Sequence, residues 1–254
     1  MNQKHDSRQN IEKENDIIGK QKDFNGEFSN EYDDIAHKII PVYHSIYELT
    51  QHLLRDKLDK EARILVAGAG TGKEMIDCSQ NNPHWSFTGF DPAEAMLSIA
   101  RKKVAAASLE NRISLVLGLI NDVAEKDFDA ATSILVMHFL PDDGTKLNFL
   151  KGIADKLKPG ALIVLVDLEG EIGSDEFNTL NAAWKNQQIF KRGENDRVRE
   201  EFALREKEVH FIPQKRIETL LEEAGFIKIH KFFKAYLFGG YIEAKNNFPH
   251  NSPG

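Results

Sequence analysis

The sequence predicts an α/β fold, a doubly wound sheet of seven strands that is parallel except at its end. Three observations carry that expectation. Short apolar runs alternate with helical patterns from Ile64 to Asp167, and strands joined through helices run parallel. The first run, Ile64 to Ala67, meets a glycine-rich turn, Gly68-Ala69-Gly70-Thr71-Gly72. The last two runs, Phe226 to Phe232 and Ala235 to Ala244, leave no room for a crossover helix and must pair antiparallel.

Met1 to Asp23 is polar, mixed in charge and nearly free of large apolar side chains, so 1–23 is expected to be disordered. One domain is placed at 24–245, with a disordered tail at 246–254. Pro41 suits the first turn of a helix, and Val42, Ile46, Leu49 and Leu53 recur at helical spacing as one apolar face. This N-terminal helix is expected over the end of the sheet that carries the glycine turn. Tyr43 lies in its first turn, either as a packing residue or as a hydroxyl aimed at a ligand.

Ile64 to Ala67 suits a strand buried on both faces. Glycine has no Cβ and tolerates positive φ, so a turn with glycine at 68, 70 and 72 lets backbone approach a ligand. The helix opening near Lys73 aims unpaired N–H groups the same way. The second strand, Ser86 to Phe90, ends at Asp91, where an acid can accept hydrogen bonds from both hydroxyls of a ribose. Turn and acid together call for an adenosine-type cofactor. A dinucleotide fingerprint would need glycine at Lys73; a phosphate loop would need glycine at Ala67 and Ser or Thr at Glu74. Glu74 would also repel phosphate. The remaining spacing, Gly-x-Gly-x-Gly, resembles the glycine loop of class I S-adenosylmethionine-dependent methyltransferases, whose cofactor has no phosphate. The resemblance implies a Rossmann-like fold and S-adenosyl-L-methionine held by Gly68, Ala69, Gly70, Gly72, Asp91 and Pro92.

Ala93, Met96, Ala100 and Val104 trace the next helix, and Arg101-Lys102-Lys103 reads as its solvated face rather than a nucleic-acid patch. Ile113 to Leu117 is the third strand. In the family an adenine edge is read just after it, which points to the Ile120 backbone, Asn121 and Asp122. Phe128 to Val136 is the fourth strand. Leu147, Leu150, Ala154 and Leu157 form a helix stopped by Lys158-Pro159-Gly160, and Ala161 to Asp167 is the fifth strand. Residues 170–213 break the alternation; they are polar, with Trp184, Phe190, Arg192, Arg197, Arg199, Phe202, Arg205 and His210. This segment is expected to be a helical lid over the carboxyl ends of the strands, or else a pair of solvated helices or a homodimer contact. Ile217, Leu220, Leu221 and Ala224 build the last helix, closed by Gly225.

Within the superfamily the chain resembles the carboxy-S-adenosylmethionine synthases and their sister methyltransferases. Tyr32-Asp33, Ile40-Pro41-Val42-Tyr43 and Ala224-Gly225-Phe226 carry that resemblance, which implies that Tyr43 contacts the cofactor. The synthase needs an arginine from the lid, and none of Arg197, Arg199 and Arg205 falls in register. Ala69-Gly70-Thr71 looks like the loop of an ordinary methyltransferase. The expectation is therefore methyl transfer to a small-molecule acceptor, with tRNA or protein acceptors left open. The alternative is a carboxy-S-adenosylmethionine synthase-like enzyme acting in tRNA wobble uridine modification.

His138, in the loop after the fourth strand, is the candidate general base for an alcohol or amine acceptor; its competing role is support of the adenosine pocket. Asp167 and Glu169 could orient an acceptor, and no metal site is expected. Cys78 is the only cysteine, so no disulfide framework, cysteine-based zinc site or iron–sulfur triplet for radical methyl transfer exists. A formal charge of −7 argues against a broad nucleic-acid surface. No apolar run approaches the roughly 18 residues of a spanning helix, and the N-terminus lacks a signal-peptide apolar stretch. A cytoplasmic protein with no membrane partner is expected.

Overall fold

The computed structural model describes residues 24–26, 28–193, 202 and 208–246. The expected disordered segment 1–23, all of the tail but Asn246, and the lid arginines Arg197, Arg199 and Arg205 lie outside the described residues. Two helices, α1 (Phe28–Ile39) and α2 (Tyr43–Lys57), precede the sheet. Then come β1 (Ala62–Ala67), α3 (Lys73–Asn81), β2 (Trp85–Asp91), α4 (Glu94–Ala106) and β3 (Ile113–Leu117). β4 (Phe128–Ile134), α5 (Thr145–Lys156), β5 (Leu157–Leu168), α6 (Asp175–Arg192), α7 (Gln214–Glu223), β6 (Phe226–Ala235) and β7 (Phe238–Lys245) complete the fold.

The strand order is β3-β2-β1-β4-β5-β7-β6. β1 to β5 pair parallel with one another, while β7 runs antiparallel to both β5 and β6. The last two strands therefore pair as their short connection requires. β7 sits inside the sheet, and β6 forms the edge.

Apolar residues on both sides of the central strands explain the layers. Leu65, Ala131, Ile163, Leu165 and Tyr241 pack with α5 and α7 through Leu150, Ile153, Ile217 and Leu221. On the opposite face Ile64, Val66, Ala130 and Val164 meet Leu54, Met75, Cys78, Leu97 and Val104. A third cluster caps the carboxyl ends of β4 and β5. There Ala36, Ile39, Tyr43 and Ile46 close on Ile134, Val166, Leu168, Trp184 and Phe238.

Two expectations need correction. Pro41 lies before α2, not in it: Val42 caps the helix with φ 50, so the helical phase starts one residue later. Tyr43, Ile46, Thr50 and Leu54 are then the buried positions, whereas Val42 is 47% and Leu49 40% exposed. The Lys158-Pro159-Gly160 turn is not a stop outside the strand but part of β5, because α5 ends at Lys156 and Leu157 already pairs with Phe128. A register shift between Phe128 and Ala130 absorbs the proline and glycine. α1 had no counterpart in the sequence reading. Its few apolar residues do not suggest a helix until Trp184 packs on it.

Candidate functional site

The glycine turn joins the tips of β1 and β2. Gly68, Gly70 and Gly72 take φ of 73, 51 and 79, the left-handed region in which side chains are strained. A Cβ on Gly68 would also collide with Val136 Cγ2. The N–H groups of Gly68 and Ala69 donate to the Phe90 carbonyl at 3.0 and 2.9 Å. Asp91 accepts from Gly70 N–H and from Ala93 N–H, each at 2.9 Å. The predicted turn and the predicted acid are thus in direct contact. Burial raises the Asp91 carboxyl above its ordinary range, and the two N–H donors offset part of that rise.

Helix α1 is fastened over this turn. Thr71 Oγ1 donates to Asp33 Oδ1 at 2.8 Å, and Lys103 from α4 pairs with the other Asp33 oxygen. Asn25 Oδ1 accepts from Ala95 N–H at 3.1 Å, and the Phe24 ring meets Tyr32 and Phe139 edge-on. The segment from 24 to 39 therefore bridges α4 to the loop after β4. Asp33 belongs to the Tyr32-Asp33 pair and Thr71 to the glycine turn, but nothing local in the sequence says that the two side chains meet.

Three phenols gather beside the turn. Tyr43 is buried, with Tyr47 Oη donating to its hydroxyl at 3.5 Å. Burial pushes the Tyr43 hydroxyl up to about 12 and raises Tyr32 and Tyr47 as well, so all three stay protonated donors. Glu74, in the first turn of α3, is half-buried. Desolvation raises its carboxyl to about 7, and nearby Thr132 offsets part of this.

Of the residues expected at the adenine edge, Ile120 is buried on the α5 side and Asn121 and Asp122 are exposed. Asp122 Oδ2 accepts from Leu119 N–H at 2.8 Å, capping its own short 3-10 turn. Pro92 is half-buried beside Asp91.

At the ends of β4 and β5 lies a second polar group. His138, 7% exposed, places Nδ1 2.6 Å from Asp167 Oδ1. Asp167 is fully buried and also accepts the His138 and Leu168 backbone N–H groups. The His138 carbonyl receives His210 N–H at 2.9 Å. Beside them Lys146 is fully buried and donates to the Met137 carbonyl at 2.7 Å; burial lowers its pKa. Lys146 sits on an ordinary helical pattern that does not mark it for burial. Glu169 is occupied elsewhere, accepting from Tyr241 Oη and pairing with Lys231.

Within 170–213 the described residues include α6, while Ile212 bridges Glu169 just after β5. α6 docks through Trp184, whose Nε1 donates to the Ile39 carbonyl at 2.8 Å. Trp184 also packs edge-on against Phe238 and Phe202. It thus roofs the β4–β5 end together with α1. Among the described residues no cluster of three His, Cys, Asp or Glu could hold a metal, and no helix is long and apolar enough to cross a membrane.

The residues fit an adenosyl cofactor. The turn has no room for a side chain at Gly68, the acid stands at the second strand's tip, and Thr132 Oγ1 and Ser133 Oγ are buried without hydrogen bonds at the end of β4. Residues 65–163 match a family model described as a methyltransferase domain. Together the fold, the turn and this match support an S-adenosylmethionine-dependent methyltransferase with S-adenosyl-L-methionine as its cofactor.

Over nearly its whole length the chain is similar to carboxy-S-adenosyl-L-methionine synthases. It is 25% identical over 238 residues to that of Nautilia profundicola, covering 91% of this chain and 97% of the relative. To the Methylococcus capsulatus synthase it is 28% identical over 223 residues, covering 84% and 89%. Among solved structures, an S-adenosyl-L-methionine-dependent methyltransferase of Methanococcus maripaludis, so described, superposes with TM-score 0.62 at 22% identity, covering 90% of this chain and 97% of that one. Phosphoethanolamine N-methyltransferase 2 of Haemonchus contortus, in complex with S-adenosyl-L-methionine, gives 0.64 at 14% identity, covering 91% and 60%. These two likenesses concern the fold.

Proposed function

We propose that the chain methylates a small-molecule acceptor bound where β4 and β5 end, and that His138 removes the acceptor's proton. The observation that carries this reading is the buried His138–Asp167 pair at 2.6 Å. Asp167 already receives two backbone N–H groups, so its remaining role toward the ring is to accept from Nδ1–H. That tautomer leaves Nε2 as a proton acceptor.

When bound, S-adenosylmethionine supplies a methyl group already activated by its positive sulfur. The protein's work is then alignment, which can supply on the order of 7–11 kcal/mol. Gly68, Ala69, Gly70 and Gly72 present backbone to the cofactor; Asp91 and Pro92 meet its ribose. Ile120, Asn121 and Asp122 border the adenine, and Tyr43 faces the amino-acid part. We place the reaction in the cytoplasm and leave a homodimer contact through the lid to light scattering.

The test is formation of S-adenosylhomocysteine with fractionated cell extract as the acceptor source. The small-molecule fraction should support turnover, and activity confined to the tRNA or protein fraction would contradict the acceptor class. On an active fraction, His138→Asn should lower turnover by about 10²–10⁴-fold while S-adenosylhomocysteine affinity stays within about twofold. Unchanged turnover would remove His138 as the base.

The second reading is chemistry on the cofactor itself, as the relatives' name states for them. Their near full-length similarity favours it. Mass spectrometry of the ligand that copurifies with the protein separates the two, since a carboxylated cofactor differs in mass from S-adenosylmethionine and S-adenosylhomocysteine.

A further inference from the structure

With the ribose at Asp91, on β2, a ligand that extends along the glycine turn of β1 next reaches β4, because the order in the sheet is β2-β1-β4. On that side stand Glu74, Thr132 and the hydroxyls of Tyr43 and Tyr47. Glu74 is half-buried in the first turn of α3. Thr132 is fully buried, and its Oγ1 has no closed hydrogen bond although the Glu74 carboxyl lies near.

Among the described residues no cation is recorded as acting on Glu74. Its charge reaches the phenols of Tyr43 and Tyr47 on α2 and the Cys78 thiol on its own helix. Each of these can only add negative charge. Among the described residues the nearby cations are already engaged: Lys73 with Asp77 at 2.8 Å, Lys103 with Asp33, and Arg55 with Asn82 Oδ1 and the Asn81 carbonyl. An acid at the first turn of a helix is favoured by the helix field, yet burial here outweighs that field. A desolvated carboxyl beside an unclosed hydroxyl, with no unengaged cation among the described residues to meet it, suits a cation brought by the ligand.

We propose that Glu74 is a cofactor-positioning residue that receives the α-ammonium group of the cofactor's amino-acid part. The inference rests on the reading of this cleft as the S-adenosylmethionine site. Thr132 Oγ1 completes the ammonium's partners. The protonated phenol of Tyr43, which accepts from Tyr47 Oη, keeps its own proton to donate to the neighbouring α-carboxylate. The amino-acid part is thereby fixed at both of its charges, and the sulfur is held in line between the turn and the β4–β5 end.

Titration calorimetry tests this with S-adenosylhomocysteine, its analogue lacking the α-amino group, and 5′-methylthioadenosine, each on the unaltered protein and on Glu74→Gln. The unaltered protein should bind S-adenosylhomocysteine on the order of 10–100-fold tighter than the des-amino analogue. Glu74→Gln should lose that factor for S-adenosylhomocysteine and bind the other two ligands as before. Equal loss on all three ligands, or loss on none, overturns the assignment while leaving the adenosyl site standing. Failure of the unaltered protein to bind any of them overturns the site and the assignment together. Should Glu74→Gln not fold, the comparison of S-adenosylhomocysteine with its des-amino analogue on the unaltered protein decides: equal affinities overturn the role of an ammonium partner, and a gap of about tenfold or more supports it.

Discussion

Single side chains do their work here by being held in strained or desolvated places. Gly68 combines φ 73 with a Cβ position blocked by Val136. Gly68→Ala should therefore destabilise the protein by about 1–3 kcal/mol, read as a lower denaturant midpoint with unchanged slope; a neutral change would show that the turn relaxes freely. Glu74 offers a pH test. Its carboxyl titrates near 7 in the free protein because of burial, and pairing with an ammonium would hold it ionised. S-adenosylhomocysteine binding should therefore strengthen as pH rises through about 7 and should lose that dependence in Glu74→Gln. Of these residues the glycines, Asp91, Tyr43 and His138 were legible in the sequence, because each belongs to a local pattern with a stated chemical purpose. The contacts of Asp33, Thr71 and Lys146 were not. Their partners lie 38, 38 and 9 residues away, and nothing in a helical pattern says which polar residue the fold will cover.

At the scale of elements, α1 is the part that closes the site. It reaches the glycine turn through Asp33, and it reaches the lid through the Trp184 bond to Ile39. Asp33→Ala would remove the acceptor of Thr71 and the partner of Lys103 together. Hydrogen exchange across Phe28–Ile39 should then accelerate while the strands keep their protection; unchanged exchange would mean that Trp184 alone holds the helix. The strands and α3, α4, α5 and α7 followed from apolar periodicity and turn residues to within a few positions. The expected face of α2 is only partly buried: Ile46 lies in the core, while Val42 falls outside the helix as its cap with φ 50 and Leu49 turns outward. The Lys-Pro-Gly turn misled because a proline and glycine can be absorbed in a strand at a register shift as well as after a helix.

For the whole molecule, the sheet's interior both supplies the stability and contains its weakest point. Glu243 on β7 is 1% exposed, and neither carboxyl oxygen has a hydrogen bond among the described residues. Burial raises its pKa well above the ordinary value. The folded state thus keeps a proton that the unfolded chain releases near pH 4.3. This contribution to stability is fully present below about pH 4.3 and is lost as pH rises through the folded value; Glu74 acts in the same direction, up to about 7. Glu243→Met should raise stability at neutral pH by about 1–3 kcal/mol and flatten its decline with pH, as followed by urea unfolding; an equal or steeper decline would contradict the assignment. The fold, the glycine turn and Asp91 all converge on one cleft, and that cleft's occupant is the central claim. Calorimetric titration with S-adenosylhomocysteine tests it most directly: the unaltered protein should bind, and Asp91→Ala, still folded, should bind more weakly by about 1–3 kcal/mol. The same affinity in both proteins, or no binding by either, would contradict it.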